Sequence, residues 1–326
     1  MLTPKENALR AIYGENPEYM PMTLECFQIA GYGTLPITEE PLVDGYDPFG
    51  VYWHVDFLGG VPDNRNFMFE DIGDWEKYVK IPDLDQIDFK AMAEEEEPTL
   101  DRNNKLITYY HACGPWERLA SFMGFENASI ALIEDPESAS KFCEKITDYH
   151  IDLAKRVIDA WGIDVFVYFD DIATANGLFM SPDVWREIFK PQMQRVVDYV
   201  NSRGVIYEEH TCGKCESVID DYVEMGVRMW QSAQIMNDLQ GIMKKHRGKL
   251  CLEGGWDTSG RPGCPDVTEE EIRAEVRRNV EDYGKNGGNL IVLPMLVSEA
   301  GNAMITQQHP HLDAFFDEYM KVRSLL

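Results

Sequence analysis

From about residue 104 to its end, the chain alternates short apolar runs with longer stretches of helical pattern. The runs are LITYYHA, VFVYF at 165–169, VIYEEH, VRMWQSA, KLCLEGG and NLIVLP, six strands in all. VFVYF is apolar or aromatic at every position, which marks a strand covered on both faces. The helices between them have readable ends. One runs from about Pro136 to Trp161, and SPDVWREIFKPQMQRVVDYVNSRG opens on a Ser cap with a first-turn Pro and closes at Gly204. ESVIDDYVEMG closes at Gly226, NDLQGIMKKHRG opens on an Asn cap, and VTEEEIRAEVRRNVEDYGKNGG carries acids in its first turn, where the helix dipole favours them. A last helix starts at about Pro310, and residues 3–12 form another behind the Thr3-Pro4 signal.

Strands alternating with helices imply parallel βαβ units. MTLECF at 22–27 and one further strand from the irregular front bring the count to eight, the arithmetic of a (β/α)8 TIM-like barrel. The expected organisation is one barrel domain over residues 1–326. Residues 1–103 give an irregular N-terminal cover and the first strands, and 104–326 give the regular units. An open doubly wound sheet is the rival, but no G-x-G-x-x-G run links a strand to a helix.

Composition excludes several partners. The net charge of -27, from 57 Asp and Glu against 30 Lys and Arg, repels phosphate backbones, so no nucleic-acid partner is expected. It suits solubility, or a basic or oriented protein partner. No apolar run approaches the roughly 18 residues that span a bilayer, so no membrane partner is expected either. MLTPKENALRAIYG lacks a signal core. Seven scattered cysteines without such a leader point to reduced thiols and a cytoplasmic location.

Barrel enzymes keep their chemistry at the C-terminal ends of the strands. VFVYF ends in Asp170-Asp171, VIYEE in His210-Thr211-Cys212-Gly213, VRMWQ in Ser232-Ala233-Gln234, KLCLE in Gly254-Gly255-Trp256-Asp257, and LITYYH in Ala112-Cys113-Gly114-Pro115-Trp116. Asp170 and Asp171 either cap a helix or turn, or bond or protonate a substrate oxygen. Gly254 and Gly255 make a turn or admit a ligand close to the backbone. Trp53, Trp116, Tyr168 and Trp256 are core residues or the walls of an aromatic pocket.

The run EEHTCGKCES, residues 208–217, is the densest in metal-competent groups. His210 and Cys212 are two apart in an extended segment, so both side chains point to one side and can clamp one metal. Zinc accepts imidazole and thiolate, and a catalytic zinc wants three protein ligands with one open position. Cys215 falls in the first turn of the next helix, and Cys251, mid-strand, reads as a small buried hydrophobe. The third ligand stays open.

These residues carry a resemblance. GPWERLASFMGFENASIALIEDPE resembles the glycine-proline-aromatic segment of the uroporphyrinogen decarboxylase superfamily. GIDVFVYFDDIATANGLFMSPDVWREIFKPQMQRVVDYVNSRGVIYEEHTCGKCESVIDDYVEMGV is similar to its central block. LEGGWD is similar to its Gly-Asn-x-Asp turn, with Gly255 where Asn is usual, and DPFGVYW at 47–53 looks like the front motif of the methyltransferase branch. The resemblance runs over roughly residues 1 to 325 and implies one (β/α)8-like barrel. Decarboxylases of this kind bind the substrate's carboxylates with arginines of a Met-Arg-Gln-Ala-Gly-Arg motif. Here the matching region reads MPMTLECFQIAGYG, and no arginine stands between Arg10 and Arg65. Porphyrinogen decarboxylation is therefore not expected.

The other branch implies a corrinoid-dependent methyltransferase. One type moves methyl from an aryl methyl ether to cob(I)alamin on a corrinoid protein, and is the leading expectation: an O-demethylase acting on a small methoxylated aromatic. The alternative is a zinc-dependent methyltransferase from methylcobalamin to a thiol such as coenzyme M. In that type, zinc sits on His-x-Cys, matched by His210 and Cys212, and on a distant Cys. That Cys would fall in LPMLVSEAGN, where Met295 and Leu296 stand instead, so Cys215, Cys251, Glu209 or Glu299 would have to substitute. The strand-end set then puts Asp170, Asp171, His210 and Cys212 at the reaction centre, with Glu209 assisting. Trp53, Trp116, Tyr168, Gly254, Gly255, Trp256 and Asp257 would lie around substrate or cofactor. Cobalamin would arrive on the partner, with zinc wherever the His-x-Cys pair finds its third ligand.

Overall fold

The computed structural model describes residues 2–31, 39–56, 59–63, 65–284, 288–298, 301–302 and 308–324. Its centre is a parallel sheet of seven strands: β1 (Phe27–Ile29), β2 (Leu106–His111), β3 (Val165–Phe169), β4 (Ile206–His210), β5 (Met229–Ala233), β6 (Cys251–Gly254) and β7 (Leu290–Val292). Their order in the sheet is their order in the chain, as short right-handed crossovers require. The ring closes where Met22 makes a parallel bridge to Val292 and the Val292 N–H donates to Pro21 O at 2.9 Å. The α/β barrel-type fold expected from the alternation is the fold observed.

Two expectations for the front differ. MTLECF is not one strand: Thr23–Cys26 form a helical turn, and the strand begins at Phe27. The turn lets Pro21–Met22 pair with β7 and Phe27–Ile29 pair with β2, so this segment closes the barrel from both sides. The further strand sought in the front does not join the sheet among the described residues. Gly45–Tyr46, Tyr52–Val55 and Gly60–Pro62 instead pair with one another as an antiparallel ribbon.

Strand parity sets two cores. One face of the sheet puts Leu106, Val165, Val167, Ile206, Met229, Cys251 and Ile291 inside the barrel, and α1 (Pro4–Ile12) plugs its lower end with Ala8, Ala11 and Ile12. The other face packs Phe166, Tyr168, Tyr207, Trp230 and Leu252 against the helices. Each fully buried aliphatic side chain contributes about 1.5–3 kcal/mol, so this two-sided burial holds the strand ends in fixed positions.

The helices largely follow their signals. Thr3 makes a capping box with Glu6, and α3 (Pro136–Trp161) has the ends expected of it. The long 181–204 stretch breaks at Phe189 into Pro182–Ile188 and Lys190–Ser202, because Pro191 has no N–H to continue the ladder. The cap of Leu239–Lys245 is Asp238 rather than Asn237, its carboxylate accepting from Gly241 N at 3.0 Å. Among the described residues, no helix is long and apolar enough to cross a membrane.

Candidate active site and metal centre

Parity decides which strand-end residues reach the barrel mouth. Counting up β4, Ile206, Glu208 and His210 face inward and Tyr207 and Glu209 face outward. By register His210 lies beside Phe169 of β3 and Gln231 of β5. Tyr110, Phe169, Asp171, His210 and Cys212 are all partly exposed, whereas the flanking strand residues are buried, so they form the surface of the mouth.

At its centre stand Asp171, His210 and Cys212, whose ligand atoms lie within 4.8 Å of one another. Cys212 Sγ is 3.5 Å from His210 Nε2, and His210 Nε2 is 3.9 Å from Asp171 Oδ1. Asp171 Oδ1 also accepts the Cys212 N–H at 2.6 Å, which fixes the carboxylate over the loop. On its other side, His210 Nδ1 lies 2.8 Å from Gln231 Oε1. An amide oxygen only accepts, so Nδ1 carries the proton and the Nε2 lone pair faces Cys212 and Asp171. The His210 ring is stacked on Phe169 with centroids 3.9 Å apart, and Phe169 packs on Tyr110 at 5.4 Å.

The donor set fits a tetrahedral metal. Zinc binds imidazole, thiolate and carboxylate at roughly 2.0–2.3 Å, which puts ligand atoms about 3.3–3.8 Å apart, close to the separations here. His210 bonded through its remote nitrogen is the usual orientation for a metal-ligating imidazole. Burial lowers the His210 pKa, opposed by Asp171 and Gln231, and keeps the imidazole neutral. Burial raises the Cys212 thiol well above its ordinary value, with Asp171 adding to it. A bound cation would reverse that last effect and hold the thiol as thiolate. The structure thus brings Asp171, from the neighbouring strand end, beside His210 and Cys212 as the candidate for the third ligand left open by the sequence.

Other carboxyls divide into two kinds. Asp170 points away from the mouth and caps α2 (Pro115–Met123), accepting from Glu117 N at 3.0 Å and Trp116 N at 3.4 Å. Burial pushes its pKa up to about 7 despite those two bonds. Glu117 stands beside Asp171, and burial together with the charges of Asp171, Asp170 and Glu40 pushes its carboxyl well above the usual range. Its Oε2 is buried without a hydrogen-bond partner. Glu40, bonded to Gly60 N at 2.7 Å, is raised by burial and then by Asp171. Sequence reasoning missed Glu117, Glu40 and Gln231. The signal for Glu117 was there, an acid immediately after Trp116 at a helix start that follows a strand end.

The remaining expected site residues lie elsewhere. Glu209 faces the helix layer, taking a bond from Tyr207 OH at 2.7 Å and one from Thr211 Oγ1 at 3.4 Å. Tyr168 is on the same outer side, its OH 2.7 Å from His150 Nδ1. Trp116 packs among Phe125, Phe179 and Phe189, and Trp256 against Phe315. Trp53 belongs to the ribbon and donates to Asp47 Oδ2 at 3.0 Å. Asp257 accepts from Ser259 N and Gly260 N, a turn of its own. Gly254 lies against Ala233, where a Cβ would come 2.3 Å from its carbonyl oxygen. Gly255 has φ +83, and a Cβ there would meet Asn279 Oδ1 at 2.7 Å. Cys215 is fully buried under the Asn237 side chain, and Cys251 is in the barrel interior. Leu296 is buried in the core beside Met295. Glu299 falls outside the described residues.

An α/β barrel with a metal-competent mouth is the class these observations define. Residues 52–293 match the family model described as uroporphyrinogen decarboxylase (URO-D), and the chain belongs to that family. Among solved structures it is similar to a methyltransferase from Methanosarcina mazei, with a TM-score of 0.69 and 15% identity over 98% of this chain and 99% of that one. At that identity the likeness speaks for the fold. A chitinase from Rhizomucor miehei matches at a TM-score of 0.36 and 11% identity over 77% of this chain and 90% of its own. A flavocytochrome b2 with sulfite bound matches at 0.32 and 11% over 98% and 77%. No curated protein matches the chain.

Proposed function

We propose that the protein is a methyltransferase moving a methyl group from a small aryl methyl ether to cob(I)alamin on a separate corrinoid protein. Family membership and the fold shared with a methyltransferase support the coarser part of that reading. One observation carries the finer part. The clustered donors Asp171, His210 and Cys212 adjoin an aromatic wall, His210 stacked on Phe169 and Phe169 packed on Tyr110, and the buried Glu117 carboxyl feels the Asp171 charge.

The chemistry balances without an added oxidant. Cob(I)alamin supplies the electron pair for the new cobalt–carbon bond, and the methyl C–O bond breaks with its pair left on the aryl oxygen. That oxygen takes a proton to leave as the phenol. The partly exposed edges of Phe169 and Tyr110 give the ring an apolar wall to pack against. Glu117, neutral because it is buried among like charges, holds the proton that the departing oxygen needs. Gln231 keeps the His210 proton on Nδ1. Asp171, His210 and Cys212 would hold a zinc ion, which would supply a Lewis acid for the same oxygen. The test is a spectroscopic assay with cob(I)alamin and guaiacol or vanillate. The reading expects methylcobalamin and the free phenol to form together, and no methylcobalamin at high protein overturns it.

A second reading draws on the same donors. A set of three ligands complete without a C-terminal cysteine also suits zinc activation of a thiol, with methylcobalamin as donor. Methylation of coenzyme M from methylcobalamin, with no turnover of aryl ethers, selects that reading over the first.

A further inference from the structure

On the outer side of the strand ends, three side chains from distant parts of the chain bring their ligand atoms together. Glu39 comes from the front segment, His111 ends β2, and His150 lies in α3. Glu39 Oε1 is 3.4 Å from His150 Nε2 and 3.8 Å from His111 Nε2, and all three atoms lie within 4.8 Å of one another. The side chains are 1%, 2% and 0% exposed. None of the three facing atoms has a hydrogen-bond partner.

One orphaned buried polar atom costs about 1–3 kcal/mol, and a fold seldom keeps three aimed at one point. Imidazole protons alone resolve the cluster only if both rings carry their N–H on Nε2 and donate to the one Glu39 oxygen, but the gaps are 3.4 Å and 3.8 Å, the second beyond hydrogen-bond reach. A cation about 2.0–2.2 Å from each atom satisfies all three. Arg118 donates to Glu39 Oε2 at 2.7 Å and to Asp47 Oδ2 at 2.5 Å, so one guanidinium serves two carboxyls and burial still raises the Glu39 pKa, a cost that a cation at Oε1 would offset. The outer bond is in place too. Tyr168 OH, 2.7 Å from His150 Nδ1, can accept that N–H and leave the Nε2 lone pair facing Glu39.

We propose that Glu39, His111 and His150 form a second metal site, apart from Asp171, His210 and Cys212, which takes a divalent first-row transition ion such as zinc. Two imidazoles and one carboxylate suit zinc or iron and give no preference to calcium or magnesium. The ion pins the front segment to β2 and α3. The next residue, Glu40, is thereby held where its carboxyl feels Asp171. This inference does not depend on the methyl-transfer reading.

The test is metal content by mass spectrometry of the full-length protein, expressed with zinc and dialysed against a mild chelator. The double variant His210→Ala/Cys212→Ala empties the mouth and leaves the buried cluster untouched. It is expected to keep about one equivalent of zinc, since a sealed site releases its ion only on unfolding. Adding Glu39→Gln to that double variant is expected to remove it. If the triple variant does not fold, zinc-edge anomalous diffraction from crystals of the double variant replaces that arm, with a peak expected between Glu39, His111 and His150. A folded double variant with no bound metal, or a water at that point without anomalous signal, overturns the proposal.

Discussion

His210 Nδ1 lies 2.8 Å from Gln231 Oε1, a contact that register alone creates, because β4 and β5 pair these two residues directly. The amide end of Gln231 is turned to Tyr110 OH at 3.5 Å, which leaves the oxygen for the imidazole. The proton this holds on Nδ1 leaves the Nε2 lone pair free to bind a metal. Gln231→Leu keeps the side chain's bulk and removes the acceptor. Loss of such an outer partner typically weakens a metal site by about 10–100-fold, and that drop in zinc affinity is expected here. A competition titration with a coloured chelator measures it, and an unchanged affinity contradicts the assignment of the tautomer.

The adjacent pair Asp170 and Asp171 divides two tasks that sequence alone left joined. Asp170 caps α2, so Asp170→Ala is expected to lower stability by about 1 kcal/mol, the ordinary value of a helix cap, with the metal content of the mouth unchanged. Asp171→Asn keeps an oxygen for the Cys212 N–H and loses the anionic donor. It is expected to lower zinc occupancy and leave the melting temperature of the metal-free protein near that of the parent. Measuring both quantities on both variants checks the division. Metal loss in Asp170→Ala at full folding reverses it.

Glu117 is the group expected to carry the proton, since burial and three neighbouring carboxyls keep it neutral. Glu117→Gln preserves shape and removes the acid. Single-turnover transfer to cob(I)alamin is expected to slow by about 10²–10⁴-fold, the range of general acid catalysis, with zinc occupancy as in the parent. Transfer at the parental rate would falsify the role.

The barrel was legible because six buried strands and their capped helices each carry a local signal. His210 and Cys212 were legible for a related reason, since a spacing of two puts both side chains on one side of an extended segment. The same parity excludes Glu209 and Tyr168 from the mouth, as neighbours of inward residues must face outward. Asp171 could not be read as a candidate third ligand, because its nearness to His210 comes from the pairing of β3 with β4 and not from spacing in the chain. The tryptophans misled for a physical reason as well. Large aromatics near strand ends lower free energy most by filling the layer between sheet and helices, and Trp116 and Trp256 do so. The front ribbon pairs only with itself, and no regular alternation announces it.

Glu271 provides a stability test away from the mouth. It closes the capping box of Glu269–Tyr283, accepting from Thr268 N at 2.8 Å, and it also takes the Arg261 guanidinium at 2.9 Å. Arg261 first and Thr268 next hold its carboxyl down at about 2. The folded pKa is lower than that of the unfolded chain, about 4.3, so over this window the unfolded state binds more protons. The contribution is therefore complete above the unfolded value and is lost as pH falls toward about 2. Glu271→Gln keeps a capping-box side chain and removes the charge. Melting temperatures of parent and variant are expected to differ most at about pH 6 and to converge as pH falls to about 2.5, the lower part of the linkage window. A difference that stays constant over that range assigns the effect to packing rather than to charge.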